Sequence, residues 1–197
     1  SPGTCVDGSA FPLCGEFTIQ GDVGADISET LPDGGGEEAD VTESLPCPEP
    51  QPGDLVINEI LADPPEGETG DANGDGYRDG TEDEFVEIVN ISSSPVAMTS
   101  VMLQIKNNTK HSYGSFCLDP GTAYVVFGGG TIGPSADFGD AIAVISDSKL
   151  GLVNGGAVVS LMKGATALDS VSYGSEGGKK QSLCRYPELT GGTPFVL

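Results

Sequence analysis

Turn-forming residues interrupt this chain so often that long helices are excluded as its main structure. Glycine occurs 30 times and proline 14 times, and no stretch longer than about a dozen residues lacks a turn signal. Between the turns lie short runs of apolar or alternating residues, which is the pattern of β-strands joined by tight loops. The sequence therefore predicts an all-β fold of the sandwich or barrel type, and we predict no helix.

The chain is predicted to divide at residue 53. Residues 1–53 contain no lysine or arginine and end in the proline-dense run Pro46–Pro52, which predicts an extended acidic segment and a stiff linker. Within it, Phe17–Val23 alternates like a strand. Residues 54–197 are predicted to form one sandwich. Its predicted strands are Leu55–Leu61, Glu84–Asn90, Val96–Ile105, Ala123–Phe127, Ala141–Ile145, Ala157–Met162, Leu168–Tyr173 and Gln181–Cys184.

Acidic residues dominate the charge of the chain, with 30 acidic against 8 basic side chains and a formal net charge of -22. Such a chain repels nucleic-acid phosphates and anionic lipid surfaces, so we predict no nucleic-acid partner. No run of about twenty apolar residues occurs, so no membrane insertion is predicted. Divalent cations are the natural counterions, although acidity can also serve solubility alone.

An acidic loop, residues 71–84, follows the first predicted strand, and its first twelve residues, Asp71–Glu82, match the EF-hand loop at its diagnostic positions. A hard cation needs roughly six to eight oxygen ligands on a short closed path, and this loop offers oxygens at alternate positions. Gly76 permits the sharp reversal. Asp83 could join or replace Glu82. The predicted Ca²⁺ ligands are Asp71, Asn73, Asp75, the Tyr77 carbonyl, Asp79, Glu82 and Asp83.

The expected role of this calcium is structural, because no helices flank the loop and an ion there stiffens a long insertion. Its binding would tie the stability of the folded chain to the calcium concentration. The alternative is a loop that folds unaided, against the mutual repulsion of its carboxylates.

Five cysteines are present, without the paired short spacing of a zinc site. Disulfides explain them better, and disulfides are typical of secreted proteins. Cys5 with Cys14 and Cys117 with Cys184 are two conceivable bridges, although the sequence does not determine the pairing. The odd count leaves one thiol, Cys47 in that scheme, either buried and reduced or bonded to another chain.

The order of the segments resembles the bacterial lamin tail domain family. Leu55–Leu61, the acidic loop and Asp83–Asn90 carry the resemblance, and later segments fall in the family's order over about residues 54–197. These segments are Ser92–Val96, Pro120–Gly128, Leu152–Gly156, Asp169–Gly174 and Gln181–Arg185. The resemblance implies an immunoglobulin-like β-sandwich in which the calcium loop is an insertion typical of bacterial members.

Two departures from the family accompany this resemblance. Ser100-Val101 stands where the family commonly has Gly-Trp, and Cys184 stands where a threonine is usual, which supports a disulfide through Cys184. Ser1–Gly8 resembles a segment that follows the last strand in bacterial members. This placement implies that residues 1–23 dock on another copy by strand addition, with a disordered terminus as the alternative.

No enzyme is predicted, since His111 is the single histidine and no serine lies in a nucleophile-elbow motif. Asn90 and Asn107 begin glycosylation sequons, which often arise by chance. We expect an extracellular calcium-binding structural protein, a self-associating subunit or repeat of a cell-surface fibre. The alternative is an accessory module that anchors a secreted hydrolase to a surface or polymer.

Overall fold

The computed structural model describes residues 46–134, 136, 138–187, 189, 191 and 195–196. The predicted strand Phe17–Val23, like the rest of residues 1–45, lies outside the described residues. The described part is an immunoglobulin-like β-sandwich without α-helix, which confirms the predicted fold class. No helix in this part is long and apolar enough to span a membrane.

Twelve strands and two short 3₁₀ turns make up the described part of the chain. The 3₁₀ turns are Gly67–Gly70 and Ser175–Gly178. The strands β1 to β12 are Leu55–Leu61, Phe85–Asn90, Val96–Ala97, Val101–Ile105, Asn108–Ser112, Cys117–Leu118, Ala123–Phe127, Ile142–Ile145, Ala157–Lys163, Thr166–Tyr173, Leu183–Arg185 and Phe195–Val196.

These strands form a six-stranded sheet in the order β12-β11-β1-β2-β7-β8 and a four-stranded sheet in the order β10-β9-β4-β5. A further pair, β3 and β6, stands beside them. The neighbouring strands are antiparallel except β7 and β8, which run parallel. Antiparallel neighbours need only short connections, in agreement with the dense turn signals of the sequence.

The main core lies between the two large sheets. Each of its fully buried aliphatic side chains contributes roughly 1.5–3 kcal/mol to stability. The six-stranded sheet contributes Leu55, Ile57, Ile60, Val86, Ile88 and Val126, and the four-stranded sheet contributes Val101, Leu103, Ile105, Val159 and Leu161.

The six-stranded sheet is buried on its outer face as well. Phe85, Val125 and Phe127 form a second apolar cluster there, against which Phe138 packs. The Phe85 and Phe127 rings meet edge to face with centroids 5.6 Å apart. This second layer explains why β2 carries apolar side chains on both of its faces.

One predicted strand is divided in the structure, and others were missed. Val96–Ile105 is interrupted between β3 and β4, where Ser100 has a φ of 64° that a continuous strand does not allow. β5 was not predicted, because its sequence Asn-Thr-Lys-His-Ser is polar and only His111 points inward. The short strands β6 and β12 were missed too.

The stretch that the sequence predicted as a linker lies against the sandwich. The Pro48 carbonyl accepts a hydrogen bond from Ala97 N at 2.8 Å, and Gly53 N donates to the Leu168 carbonyl at 3.2 Å. Glu49 Oε2 lies 2.6 Å from Lys163 Nζ. Residues 46–53 are therefore held at several points along one side of the domain.

A disulfide joins Cys47 to Cys117, with the two Cα atoms 6.0 Å apart. The suggested Cys117–Cys184 bridge is therefore wrong, and so is the assignment of Cys47 as the leftover thiol. Cys117 lies in the two-stranded sheet, whereas Cys184 lies in β11 beside β1 of the six-stranded sheet. Cys184 is itself disulfide-bonded.

Candidate functional site

The acidic loop leaves β1 and returns to β2 at the same end of the six-stranded sheet. Leu61 and Phe85 are paired residues of these two strands, so everything between them must form an excursion from that end. Arg78 anchors the excursion near its base, since its Nε donates to the Pro65 carbonyl at 3.0 Å. The loop is thus fastened to the residues that directly follow β1.

Hydrogen bonds from backbone N–H groups to side-chain oxygens form the turns in the first half of the loop. Gly76 N donates to Asp71 Oδ2 at 2.9 Å, Asp75 N to Asn73 Oδ1 at 3.0 Å and Tyr77 N to Asp75 Oδ1 at 2.9 Å. Gly76 has a φ of 96°, which glycine adopts without steric cost. The chain therefore reverses at the position where the motif requires it.

Asp79 and Asp83 organise the second half of the loop. Asp79 Oδ1 accepts hydrogen bonds from Thr81 N and Glu82 N, at 2.7 and 3.0 Å, and these bonds lower the pKa of Asp79. Asp83 is fully buried. Its two oxygens accept from Asn73 N at 3.1 Å and Asp79 N at 2.7 Å, so Asp83 ties the two halves of the loop together.

Burial is the main influence on the ionisation of Asp83. Loss of water around the carboxylate raises its pKa, and the backbone donors partly oppose this shift. A carboxylate in such a place is easier to keep ionised when a cation stands nearby.

Three predicted ligands converge at Gly130, in the segment that follows β7. A methyl group added at Gly130 would lie 2.6 Å from Asn73 Nδ2, 2.8 Å from Asp75 Oδ2 and 3.3 Å from Glu82 Oε2. Only a residue without a side chain allows the loop to approach so closely. Three glycines after a strand, Gly128–Gly130, are typical of a turn, and they also indicate close backbone approach.

Contacts across this meeting point fasten the loop to the segment after β7. Asn73 Nδ2 donates to the Gly129 carbonyl at 3.2 Å, and Thr131 N donates to Asp75 Oδ2 at 3.4 Å. Gly133 N donates to the Asn73 carbonyl at 2.9 Å. The position of Asn73 and Asp75 therefore depends on two segments that are far apart in the sequence.

Two of the predicted ligands keep oxygens open. Asp71 Oδ1 is buried, and no donor of the described residues reaches it. Within the same residues no hydrogen bond reaches the Glu82 carboxylate, and the Tyr77 side chain is 81% exposed, which leaves its backbone carbonyl as its possible contribution. The described residues contain no group of three or more His, Cys, Asp or Glu side chains arranged to hold a metal ion.

The donor set nevertheless fits calcium in its chemistry. The predicted ligands offer carboxylate, amide or carbonyl oxygens, which suit hard cations, and no residue of the loop offers the sulfur or imidazole that zinc favours. The buried Asp71 Oδ1 lacks a partner in a place where polar atoms normally have one.

His111 lies in an aromatic cluster of the interior, next to one carboxylate. It is buried, its ring centroid lies 4.9 Å from that of Tyr113, and its Nδ1 lies 3.5 Å from Asp147 Oδ1. Burial lowers the pKa of His111, and Asp147 partly opposes that effect. The histidine therefore packs as a neutral ring in an aromatic cluster.

The two glycosylation sequons differ in accessibility. Asn90 is buried, and its Nδ2 donates to the carbonyls of Ser94 at 2.9 Å and Leu118 at 2.8 Å. Asn107 is exposed in the turn between β4 and β5. Only Asn107 presents an amide that a modifying enzyme could reach in the folded domain.

The fold and the loop together define an immunoglobulin-like β-sandwich module with an acidic insertion between two central strands. The model of the Lamin Tail Domain family matches residues 48–175, which include the four-stranded sheet, strands β1, β2, β7 and β8 of the six-stranded sheet, the disulfide partner Cys117 and the whole acidic loop. The chain therefore belongs to the lamin tail domain family. No curated protein sequence matches it.

Proposed function

We propose that this lamin tail domain is a secreted, calcium-binding structural module that associates with copies of itself in a cell-surface fibre or scaffold, and that it has no catalytic role. The observation that carries the calcium part is the convergence of Asn73, Asp75 and Glu82 at Gly130, together with the buried Asp71 Oδ1 of the same loop, which no donor of the described residues reaches. Groups of like charge held this close repel one another unless a cation neutralises them.

The position of the loop supports a structural role for the ion. The loop joins the adjacent strands β1 and β2, and its far side touches the segment after β7. An ion bound by Asp71, Asp75 and Glu82 would therefore hold three parts of the six-stranded sheet together. Because it would bind the folded chain alone, it would stabilise the domain by mass action.

The disulfide supports the secreted location. Disulfides form and persist in oxidising compartments and are rare in the reducing cytosol. The Cys47–Cys117 bond fixes the start of the described chain to β6. A force applied through residues 1–45 would therefore be transmitted to β6 by this covalent bond. Such a connection suits a module that joins neighbours in an assembly.

Thermal unfolding in calcium and in a chelator tests the calcium proposal. We expect the wild-type midpoint to rise with calcium, with a stabilisation of about 2.7 kcal/mol when calcium exceeds its dissociation constant about 100-fold. Asp71→Asn should remove most of this rise. Asp119→Asn removes the same charge from the exposed turn before β7 and should keep it. An equal midpoint in calcium and in chelator would refute calcium binding.

Negative-stain imaging of the secreted protein, without reductant, tests the assembly proposal. Filaments that fray when calcium is chelated support the fibre subunit. Dispersed particles in both conditions contradict it and favour the accessory module that anchors a hydrolase to a surface polymer.

A further inference from the structure

The outward face of the four-stranded sheet is free of charge in a chain that carries 30 acidic residues. The strands alternate between buried and solvent-facing positions, and none of the outward residues named below has an ionisable side chain. We call this surface the neutral face. It consists of Met102, Gln104, Thr109, Ser112, Val158, Ser160, Met162, Ala167, Ser170 and Ser172.

Four polar side chains of the neutral face are hydrogen-bonded in two pairs. Ser160 Oγ and Ser170 Oγ lie 2.8 Å apart, and Gln104 Nε2 donates to Thr109 Oγ1 at 3.3 Å. Hydroxyl and amide groups that are already hydrogen-bonded lose less when a partner displaces water from them. The face can therefore be covered at a low cost in desolvation.

Apolar side chains flank this polar centre. Met102 and Met162 are directly opposed on β4 and β9, and the Val158 side chain at the other end is 46% exposed. Methionine adapts its shape to a partner surface because its side chain is unbranched and flexible. The neutral face thus combines adaptable apolar area with a flat polar strip.

Electrostatics identifies the partner that fits this face. A basic partner would be drawn to the carboxylates elsewhere on the molecule, while two copies of a chain with net charge -22 repel each other. The repulsion between two copies is smallest where neither presents a carboxylate. Lys106 follows β4 at one end of the face, and Lys163 ends β9 at the other end, where its ammonium group pairs with the Glu49 carboxylate. Beyond β5, Ser112 N donates a hydrogen bond to Asp147 Oδ2 at 2.7 Å, so these two carboxylates border the face and do not lie on it.

We propose that a second copy of this chain docks on the neutral face, with the two faces stacked about a two-fold axis. A two-fold interface places the same patch on both copies, and an uncharged patch can meet itself without like-charge contact. The inference rests on the proposed self-association and names the surface responsible for it. Ser160 lies at its centre, between Gln104 on β4 and Ser170 on β10.

The size of the face sets the expected strength of association. Four strands about 4.8 Å apart and about five residues long cover a plane of roughly 300 Å². Stable interfaces bury about 800 Å² on each partner. Isolated copies should therefore associate weakly, and tighter association should appear only where several copies are linked.

Sedimentation equilibrium of the full chain in calcium, over a range of concentrations, tests this surface. Salt should strengthen the association of the wild type, because screening at about 0.5 M relieves the repulsion felt at about 0.05 M. Ser160→Glu should weaken it at least about tenfold, since it brings two carboxylates together at the axis. Ser93→Glu adds the same charge in the exposed turn after β2 and should leave it unchanged.

A charge-pairing experiment makes the test specific for two stacked faces. Ser160→Glu and Ser160→Lys should each fail to self-associate, whereas their equimolar mixture should associate at least as well as the wild type. Circular dichroism checks the fold, and Ser172→Glu, at an exposed position of β10, replaces Ser160→Glu if the latter unfolds.

The outcomes separate the two proposals. If the wild type associates and Ser160→Glu associates equally well, the neutral face is not the interface, while the proposed function stands. If the wild type stays monomeric at every concentration and salt level, both the interface and the self-association are refuted.

Discussion

Replacing Cys47 and Cys117 together by serine opens a covalent loop whose ends are 70 residues apart in the sequence. The bond limits the conformations of the unfolded chain, and its loss raises the entropy of that state. For a loop of this length the chain-entropy relation gives about 15 cal/mol/K, which is about 4 kcal/mol at 25 °C. The folded state loses an anchor as well, because residues 48–53 follow directly on the bond.

Urea unfolding of the double variant in saturating calcium measures this effect. We expect the free energy of unfolding to fall by about 4 kcal/mol and the thermal midpoint by about 10 °C. The double variant is a cleaner perturbation than a reductant, which would also act on the disulfide of Cys184.

A matched control separates the bond from the docking of the segment beside it. Glu49→Gln removes the ion pair with Lys163 and leaves the disulfide intact. Glu49 is largely exposed, so this change should cost less than about 1 kcal/mol. A loss below about 1 kcal/mol in the double serine variant would refute the reasoning, since it would mean that the unfolded chain is not restricted by the bond.

Three further predictions concern the interior and the loop. The free energy of unfolding should fall as the pH drops below about 6.5, because burial holds the pKa of His111 below its unfolded value. In urea titrations at several pH values, His111→Gln should reduce the slope of the unfolding free energy against pH. Asp169→Asn should cost about 3 kcal/mol in urea unfolding, since it removes the negative charge that faces the buried Arg185 guanidinium. Gly133→Ala should weaken calcium affinity in calorimetric titration, because its Cβ would lie 1.6 Å from a loop carbonyl oxygen; Gly155→Ala, with open space around it, should not.

Each of these predictions has an outcome that contradicts it. Burial raises the pKa of Glu84 to about 7, so protonation of Glu84 stabilises the folded state as the pH falls and opposes the effect of His111. The informative quantity is therefore the difference in pH dependence between the wild type and His111→Gln. An identical slope in both proteins contradicts the role of His111. Lys180→Gln breaks an exposed ion pair with Glu66 and should leave stability unchanged; a similar small effect of Asp169→Asn would mean that the buried pair is not needed. Unchanged calcium affinity in Gly133→Ala would show that the segment after β7 does not position the loop.

Much of the sandwich could be predicted because the sequence patterns that mark its strands are local. The strands Leu55–Leu61 and Ala123–Phe127 begin and end where the sequence predicted, since apolar runs bounded by turn residues have few alternatives. β5 could not be found in this way. It is an edge strand whose outward side chains are polar, so its sequence resembles a loop.

In the candidate site, too, some features could be predicted from the sequence and others could not. The EF-hand spacing identified the loop, and the reversal at Gly76 follows from the residue type alone. The sequence did not reveal that both oxygens of Asp83 accept backbone hydrogen bonds, or that Gly130 lies against Asn73 and Asp75. The Gly130 contact joins segments that meet only after β2 and β7 have paired, and the Asp83 hydrogen bonds depend on the folded path of the loop itself.

The amino-acid sequence by itself determined the all-β class, the acidic character, the calcium-type motif and the resemblance to the lamin tail domain, because each depends on residue type and short-range order. Only the tertiary structure decided that Cys47 pairs with Cys117, that the proline-rich stretch docks on the sandwich and that the uncharged residues of four strands share one face. The reason is physical: disulfide pairing and surface charge depend on which distant segments the folded chain brings within a few ångströms of each other.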